Sequence, residues 1–556
     1  MTVPEDVLRT PLLDRVFARA SERRPVFTFS DHDEVEHTLT WARLAERVRA
    51  VARRLREIGA PGDRVAILAP QDLSYPVAFL GVLAAGMVAV PLFAPLGKSH
   101  RARLDGALTD SGADIWLTST HALERARELG APAHLLAVDE IGGEGTDPVP
   151  VAMDAPAYLQ YTSGSTREPA GAIITHRALV ASCWQVRTAY EVDESVTCAG
   201  WIPFFHDMGL IQLLCLPLFA GARSVFMAPA EFVRRPERWL RQMSDHPNVF
   251  TAAPNFAFDL AAEAGPRDDL ALSGVRVALN GSEPVRPETV ERFQKAFGPC
   301  GFRREAHRPS YGLAEATVYV ASAGPEGPTI TAFDQAALSR GRAVEAGPEF
   351  ADSRELVSVG RPVGQVVRIV GDGQARPDGE MGEIWVRGPH VAAGYWRRDD
   401  DAFGARLDGL GGWLRTGDLG VIHHGELYIT GRIKDLIVID GRNHYPQDIE
   451  ATAAQAHPAI RRDRVAAFGV QDARGEGVVV VAERVRQTEV DPKEVSRAVL
   501  RAVGREHEIA LRSFHLVPPG ALPRTSSGKV SRSAAKKVYA PAPHPTTTPD
   551  RGASRR

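Results

Sequence analysis

"AYLQYTSGSTREPAGAIITH", residues 157–176, sets two short apolar runs on either side of a turn rich in glycine, serine and threonine. AYLQ (157–160) and AGAIITH (170–176) read as strands. Between them, Gly164 and Gly171 let backbone N–H groups converge, and the hydroxyls of Thr162, Ser163, Ser165 and Thr166 add donors. That combination makes a nest for an anion. Read alone, it is as readily a surface hairpin. A Walker loop is excluded, because no G-x-x-x-x-G-K-[ST] string exists in the chain and a strand, not a helix, follows the turn. Ala170 stands where a cation would be useful, so any positive charge must come from elsewhere.

Outward from this turn, apolar strands alternate with amphipathic helices. Trp41 to Ile58 reads as a helix with Leu44, Val48, Val51, Ala52 and Leu55 on one stripe. DRVAIL (63–68), DIWLT (114–118), SVFMA (224–228), NVFTAA (248–253) and VRVALN (275–280) read as buried strands. Repeated strand–helix–strand units favour mainly parallel sheets covered by helices, an α/β fold. From about residue 365 the texture changes. QVVRIV, GEIWVRG, ELYITGR and DLIVIDGR are strands separated by Gly/Asp turns, which predicts a small antiparallel barrel or sheet. Beyond 435 a compact α+β stretch follows. Its helix from 491 has Asp491 as cap, Pro492 in the first turn and Glu494 in the capping-box position. Val495, Val499, Ala502 and Val503 form its apolar face, and GVVVVAER (477–484) reads as its strand. Residues 541–556, rich in Pro, Thr and Arg, read as a disordered tail.

The 556 residues suggest several domains. Lys plus Arg (66) nearly balance Asp plus Glu (69), for a net charge of −3. That excludes the strong positive field of a nucleic-acid protein. Four cysteines, none in a C-x-x-C pair, argue against a disulfide framework or a zinc–thiolate site and for a reducing cytoplasm. The N-terminus lacks the pattern of a signal peptide. Leu73–Gly97 is uncharged and long enough to span a bilayer, but Pro76, Pro91, Pro95, Gly81 and Gly86 interrupt it. It reads as a buried helix over about Ser74–Ala85, a turn at Gly86 and a strand over Met87–Val90, so no membrane span is expected.

Six motifs in order between residues 161 and 532 identify the chain as resembling the adenylate-forming superfamily of acyl-CoA synthetases, nonribosomal adenylation domains and luciferases. YTSGSTREPAG resembles its phosphate loop, and NGSEPV (280–285) and PSYGLAEATVY (309–319) its adenine-binding segments. WLRTGDLG (413–420) resembles the ribose motif. GRIKDLIVIDGRNHYPQDIE (431–450) resembles the hinge and the start of the mobile C-terminal domain. LPRTSSGKVSR (522–532) resembles the terminal motif with the catalytic lysine. WIPFFHDMGLI (201–211), AAPNFAFDL (252–260) and YGLAEATVYV (311–320) are most similar to the fatty acyl-AMP ligases, and residues 329–364 resemble the insertion that separates these from CoA-using relatives.

The resemblance implies a large N-terminal domain over residues 1–431, with a β-rich subdomain at about 365–431 and the ligase-type insertion at about 329–358. It implies a hinge at 432–434 and a mobile α+β domain over 435–540. The implied reaction is adenylation of a fatty acid by ATP, with release of pyrophosphate, then transfer of the acyl group to the phosphopantetheine thiol of an acyl carrier protein. Thr162, Ser163, Gly164, Ser165 and Thr166 would cradle the β- and γ-phosphates. Asn280, Gly281, Ser282, Glu283, Ser310, Tyr311, Gly312, Leu313 and Ala314 would line the nucleotide, Tyr311 against the adenine. Glu315 would hold Mg²⁺, which suits a hard carboxylate donor. Asp418 would accept the ribose hydroxyls and Arg432 would reach the ribose or phosphates. His206 would sit near the carboxylate and α-phosphate. Lys434 would absorb the domain rotation, and Lys529 would pair with the carboxylate and α-phosphate oxygens.

Ala170 and Ala314 replace the Lys and Thr of most relatives, and both suit the ligase branch; the R-R-A that commonly follows the lysine is absent. The alternatives are an acyl-CoA synthetase, an amino-acid-activating domain, in which Asp207 would pair an ammonium, and a catalytically silent acyl- or nucleotide-binding regulator. A monomer is expected.

Overall fold

The computed structural model describes residues 1–95, 101–161, 170–347, 352–439, 442–472, 475–486, 490–524 and 529–540. The phosphate-loop residues Thr162, Ser163, Gly164, Ser165 and Thr166, and the tail expected to be disordered, lie outside them. The chain divides into two compact units, Met1–Thr430 and Gly431–Arg556.

The first unit holds two large sheets. One has six strands in the order His134–Ala137, Ile115–Thr118, Arg64–Ile67, Val88–Pro91, Pro156–Tyr161, Gly171–Thr175. All its neighbours run parallel except the last pair, which is antiparallel and flanks the Gly/Ser/Thr segment in the chain. The second sheet has eight strands, with the parallel run His307–Tyr311, Val275–Gly281, Val249–Pro254, Thr197–Gly200, Arg223–Met227, Pro25–Ser30 at its centre. Antiparallel strands Ala321–Ser322 and Glu36–Thr40 close its edges. The apolar runs place Arg223–Met227, Val249–Pro254 and Val275–Gly281, whereas Thr197–Gly200, His307–Tyr311 and Pro25–Ser30 with its partner are not among them.

The helix Trp41–Arg56 starts where Thr40 Oγ1 accepts the Arg43 amide at 3.2 Å. It buries Leu44, Val48, Val51 and Leu55, the stripe read from the sequence. Helix Ser74–Ala84 is buried on every side, as a hydrophobic segment without a polar face must be. A turn at Gly86 (φ 71°) and the strand Val88–Pro91 follow it. Among the described residues no helix is long and apolar enough to cross a membrane. Cys183, Cys198, Cys215 and Cys300 are all free thiols.

The β-rich part of the first unit is a six-stranded antiparallel sheet built around Leu410–His423, flanked by Gly382–Arg387, Ala405–Leu407 and Glu426–Arg432. The insertion contributes the hairpin-like pair Ile330–Asp334 and Ser353–Val357 and the short helix Gln335–Ser339. Phe333 and Leu338 carry it into a core with Val421 and Tyr428 of the β-rich sheet.

In the second unit, strands Ile460–Asp472, Gly475–Arg484 and Leu511–Val517 form one sheet with helices Pro446–Gln455, Pro492–His507 and Arg532–Tyr539. Asp491 Oδ1 accepts the Lys493 amide at 2.9 Å, so the expected cap starts the middle helix. The DLIVIDGR stretch does not extend the β-rich sheet of the first unit. Ile437–Ile439 pairs with Arg442–His444 as a separate hairpin in the second unit. Ile437 is buried in that unit's own core, which captures the strand away from the sheet its composition resembles.

Candidate active site

The chemistry-bearing segments of the first unit start at the carboxyl ends of parallel strands, where the backbone turns out of the sheet and open α/β folds place their ligands. Thr197–Gly200 leads into the segment with His206. Val275–Gly281 leads into Ser282 and Glu283, and His307–Tyr311 into Gly312–Glu315. In the six-stranded sheet, Pro156–Tyr161 leads into the Gly/Ser/Thr loop.

Side-chain bonds join these ends. Gln160, buried in the strand before the loop, donates from Nε2 to the Phe205 carbonyl at 3.0 Å and so ties the two sheets together next to His206. Gln71 braces the same segment: its Oε1 accepts the Phe204 amide at 2.8 Å, and its Nε2 lies within 3.2 Å of the Trp201, Ile202 and Met227 carbonyls. Nothing in the sequence singled out Gln71, because its role depends on two segments, 201–204 and the end of the strand at Met227, more than a hundred residues away. His206 itself is half-buried, at the start of a short helical turn, with its ring 5.0 Å from that of Phe205. The next six residues, Leu210–Cys215, wind as a π-helix, a rare form that concentrates at functional sites. Ser282 sits in the left-handed region (φ 65°) and its Oγ lies 3.4 Å from Met208 sulfur, which joins the 280–283 turn to the His206 segment.

Two of the expected nucleotide residues have their side chains turned to the scaffold. Asn280 is buried, donates to Asn255 Oδ1 at 3.2 Å and pairs with His307 Nε2 at 3.1 Å. Glu283 Oε1 accepts the Phe256 amide at 2.7 Å in the first turn of the helix Asn255–Ala264, where a carboxylate meets the positive end of the helix dipole. Their side chains hold the turn; Gly281 and Ser282 are what it presents.

The segment 311–318 folds back on itself. A Cβ on Gly312 would lie 1.4 Å from the Val318 carbonyl oxygen, so only glycine fits. Thr317 (φ 46°) and Val318 (φ 78°) both occupy the left-handed region, which is strained for β-branched residues and is held by Val318 N–H donating to the Leu313 carbonyl. This fold presents Glu315. Its Oε1 accepts the Tyr395 hydroxyl at 2.6 Å, and its backbone carbonyl accepts the Ala392 amide at 2.9 Å. Residues 393–396 in turn bond to the strand that leaves the Gly/Ser/Thr loop, through Ile173 N–H to Gly394 and Trp396 N–H to Gly171. Glu315 is thereby linked, through residues 392–396, to the strand Gly171–Thr175. Burial, together with the Glu315 charge, pushes the Tyr395 hydroxyl far above its ordinary pKa, so it remains a donor. Tyr395 is a site residue that the sequence reading missed.

Tyr311 and Asp418 meet directly: the hydroxyl donates to Asp418 Oδ2 at 2.7 Å, with both residues buried. Asp418 faces inward because its strand is bulged. Trp385 pairs with Arg415 but Glu383 pairs with Leu419, so residues 416–418 oppose Ile384 alone, a bulge of two extra residues. Glu383 Oε1 holds the Gly417 amide at 3.1 Å and Thr416 Oγ1 donates to the Ile384 carbonyl at 2.7 Å. Ser310 Oγ accepts from Tyr190 at 3.0 Å and donates to the Ala321 carbonyl at 3.0 Å. Leu313 is half-buried and Ala314 buried.

The second unit carries Arg432, Lys434 and Lys529. Arg432 ends its strand and is exposed; Lys434 lies in the 3₁₀ turn Ile433–Asp435 and is also exposed. Lys529 is half-buried beside Val530, whose bridge to Arg524 closes the terminal loop. Three residues on, Arg532 forms a two-pronged ion pair with Glu450 (2.6 and 2.8 Å) and reaches Asp435 at 3.1 Å.

Comparison with known proteins agrees with this architecture. The family described as AMP-binding enzyme matches residues 14–396, and the Disco-interacting protein 2-like AMP domain matches residues 434–546. The long-chain-fatty-acid–AMP ligase FadD26 of Mycobacterium marinum is 40% identical, over 95% of this chain and 98% of its own. The 4-hydroxyphenylalkanoate adenylyltransferase of Mycobacterium tuberculosis is 42% identical, over 93% of this chain and 89% of its own. A solved structure from work on fatty acyl-adenylate ligases of E. coli and L. pneumophila has a TM-score of 0.87 at 32% identity, covering 96% of this chain and 98% of that one.

Proposed function

The chain belongs to the AMP-binding enzymes, among the fatty acyl-AMP ligases, and on that premise we propose how its residues divide the work. A fatty carboxylate oxygen attacks the α-phosphorus of ATP, the bond to the β-phosphate bridging oxygen breaks, and pyrophosphate leaves. The thiol of a carrier protein's phosphopantetheine arm then attacks the acyl carbonyl, and AMP leaves. In the first step both reactants are anions, so the enzyme's task is to neutralise charge and hold a line of attack.

Asp418 accepts from the ribose hydroxyls, kept in orientation by Tyr311, and the turn at Gly281–Ser282 and the segment Ser310–Ala314 border the adenine. The Gly/Ser/Thr loop contributes amide and hydroxyl donors to the departing pyrophosphate. Glu315 has one oxygen engaged by Tyr395, which leaves Oε2 as a hard donor that fits Mg²⁺. When bound, Mg²⁺ would supply positive charge to the phosphate oxygens. His206 orients the carboxylate. Lys529 brings a side-chain cation to the carboxylate and α-phosphate oxygens, Arg432 assists at the ribose or phosphates, and Lys434 is the pivot.

The observation that carries the reading is that one segment, 311–315, presents within one unit both Tyr311, paired with Asp418, and Glu315, paired with Tyr395 and tied through residues 392–396 to the strand Gly171–Thr175. The packing of the insertion through Phe333 onto Tyr428, two residues before the boundary between the units, supports a carrier protein over free CoA as acceptor. It fixes the strand from which any rotation of the second unit starts.

The test is mass spectrometry of products from a panel of fatty acids with ATP and Mg²⁺, with and without CoA and a pantetheinylated carrier. Acyl-adenylate that persists with CoA and is consumed by the carrier is expected. Accumulation of acyl-CoA would assign the acceptor to CoA instead, and adenylate formation undiminished in Lys529→Ala would remove the lysine from the chemistry.

A further inference from the structure

Where the insertion meets the β-rich sheet, three metal-binding groups converge. Glu345, from the insertion, places Oε1 2.8 Å from His423 Nε2 and 3.2 Å from His424 Nε2, and the three ligand atoms all lie within 4.8 Å of one another. The two imidazole rings are 4.2 Å apart. Both imidazoles aim Nε2 at the same carboxylate oxygen, so two nitrogens and one oxygen face a common point.

The backbone under each group is fixed. Phe333 bridges to Glu345 as in a strand, with Asp334 N–H on the Val344 carbonyl and Ala346 N–H on the Ala332 carbonyl at 2.8 and 2.9 Å. His423 ends the long strand Leu410–His423, with its ring against Phe333. His424 adopts φ 51° in the tight turn, and its carbonyl accepts from Arg361 at 3.2 Å. The ligand atoms are thus presented by ordered chain, with His423 mostly buried and His424 and Glu345 open to solvent.

We propose that Glu345, His423 and His424 form a site for a divalent ion of the zinc class, separate from the Mg²⁺ of adenylation, that staples the insertion to the long strand. Zinc takes imidazole nitrogen and carboxylate oxygen at about 2.0–2.2 Å in tetrahedral sites. Tetrahedral angles with those bonds set ligand atoms about 3.4 Å apart, so the 2.8 and 3.2 Å separations open by only tenths of an ångström to admit the ion. Water completes the fourth position. Two nitrogen donors with one oxygen select against Mg²⁺ and Ca²⁺, which favour all-oxygen sites.

The site is tested on the full chain after chelation and desalting, by calorimetric titration with Zn²⁺ and by the visible spectrum of the Co²⁺-loaded protein. One Zn²⁺ per chain and a tetrahedral Co²⁺ spectrum are expected, with affinity falling at least about tenfold in His424→Ala and in Glu345→Gln. His121→Ala, an exposed histidine elsewhere, should bind as the native chain does. Unchanged Zn²⁺ affinity in the Glu345→Gln/His424→Ala double variant, or a six-coordinate Co²⁺ spectrum, would overturn the proposal. His424 is largely exposed, so its variant folds, and because the readout is metal binding, its outcome is independent of the adenylation reading.

Discussion

The Tyr311 hydroxyl donates to Asp418 Oδ2 at 2.7 Å, across 107 residues of chain and from one sheet to another. The bond fixes the orientation of the Asp418 carboxylate, whose two oxygens offer about four lone-pair sites in all. Asp418→Asn retains the shape but removes the charge and turns one acceptor into a donor. Hydrogen bonds to a charged group contribute about 1.5–3 kcal/mol, so kcat/KM for ATP should fall about 10- to 100-fold. Tyr311→Phe removes only the orienting bond and should cost less. Steady-state pyrophosphate release at varied ATP measures both, and equal losses would mean that the pair acts only through folding.

The Glu315–Tyr395 bond makes a second prediction. Glu315→Gln should raise the Mg²⁺ concentration needed for half-maximal adenylation and depress the maximal rate. Tyr395→Phe leaves the carboxylate but frees it to rotate, and should shift the Mg²⁺ dependence by less than about tenfold, the size expected for losing one neutral donor. Magnesium titrations of adenylate formation check this; an unshifted Mg²⁺ dependence in Glu315→Gln would detach Glu315 from the metal.

In the second unit, burial works against the charge on Arg532, but Glu450 and Asp435 outweigh it and raise the guanidinium above its ordinary pKa. Glu450 Oε1 also accepts the Ala467 amide at 3.0 Å. The three groups tie the start of the helix after Lys529 to the turn that contains Lys434. Arg532→Ala strands the buried Glu450 and should destabilise this unit by about 3 kcal/mol. Arg532→Lys retains the charge but loses the two-pronged geometry. It should keep most of the stability while lowering the adenylation rate if the pair positions Lys529, which thermal melts and single-turnover kinetics separate.

Buried neutral histidines set an acid limit. Burial lowers His176 to about 4 and His390 to about 3; burial and then Arg304 lower His307 to about 3. In the unfolded chain each titrates near 6.5, so the unfolded state binds more protons below that pH. Their stabilisation is fully present above pH 6.5 and is lost as pH falls toward 4, at about 1.4 kcal/mol per histidine per pH unit. The unfolding midpoint should drop between pH 6.5 and 5. His307→Gln, which keeps a polar partner for Asn280, should reduce the slope; an unchanged slope would show that other groups set it.

The strands Arg64–Ile67, Ile115–Thr118, Arg223–Met227, Val249–Pro254 and Val275–Gly281 were legible because burial on both faces demands continuous apolar runs, and few other sequences look like VRVALN or NVFTAA; Thr197–Gly200 and Pro25–Ser30 carry weaker runs and were not. The long strand Leu410–His423 was not, since Gly411, Gly412 and Gly417 read as turns, whereas two of them shape the strand's start and its bulge. DLIVIDGR has the composition of its neighbours in the chain, and only the core that receives Ile437 tells which sheet it leaves. For the site, the resemblance of PSYGLAEATVY and WLRTGDLG to the adenylate-forming motifs singled out Glu315, Tyr311 and Asp418. That Asn280 and Glu283 would be spent on Asn255, His307 and Phe256 depended on partners that no local pattern announces.

The strand that carries Asp418 ends five residues later at His423, so about 17 Å of stiff backbone separates the Tyr311-bonded carboxylate from the insertion's anchorage. Its register is set at both ends, by the 416–418 bulge and by Val421 in the Phe333 core. Removing or adding one residue between them would turn Asp418 to the opposite face or pull Val421 out of its pocket. Side chains along this rod can therefore be exchanged one for another, whereas any change of its length breaks one end or the other.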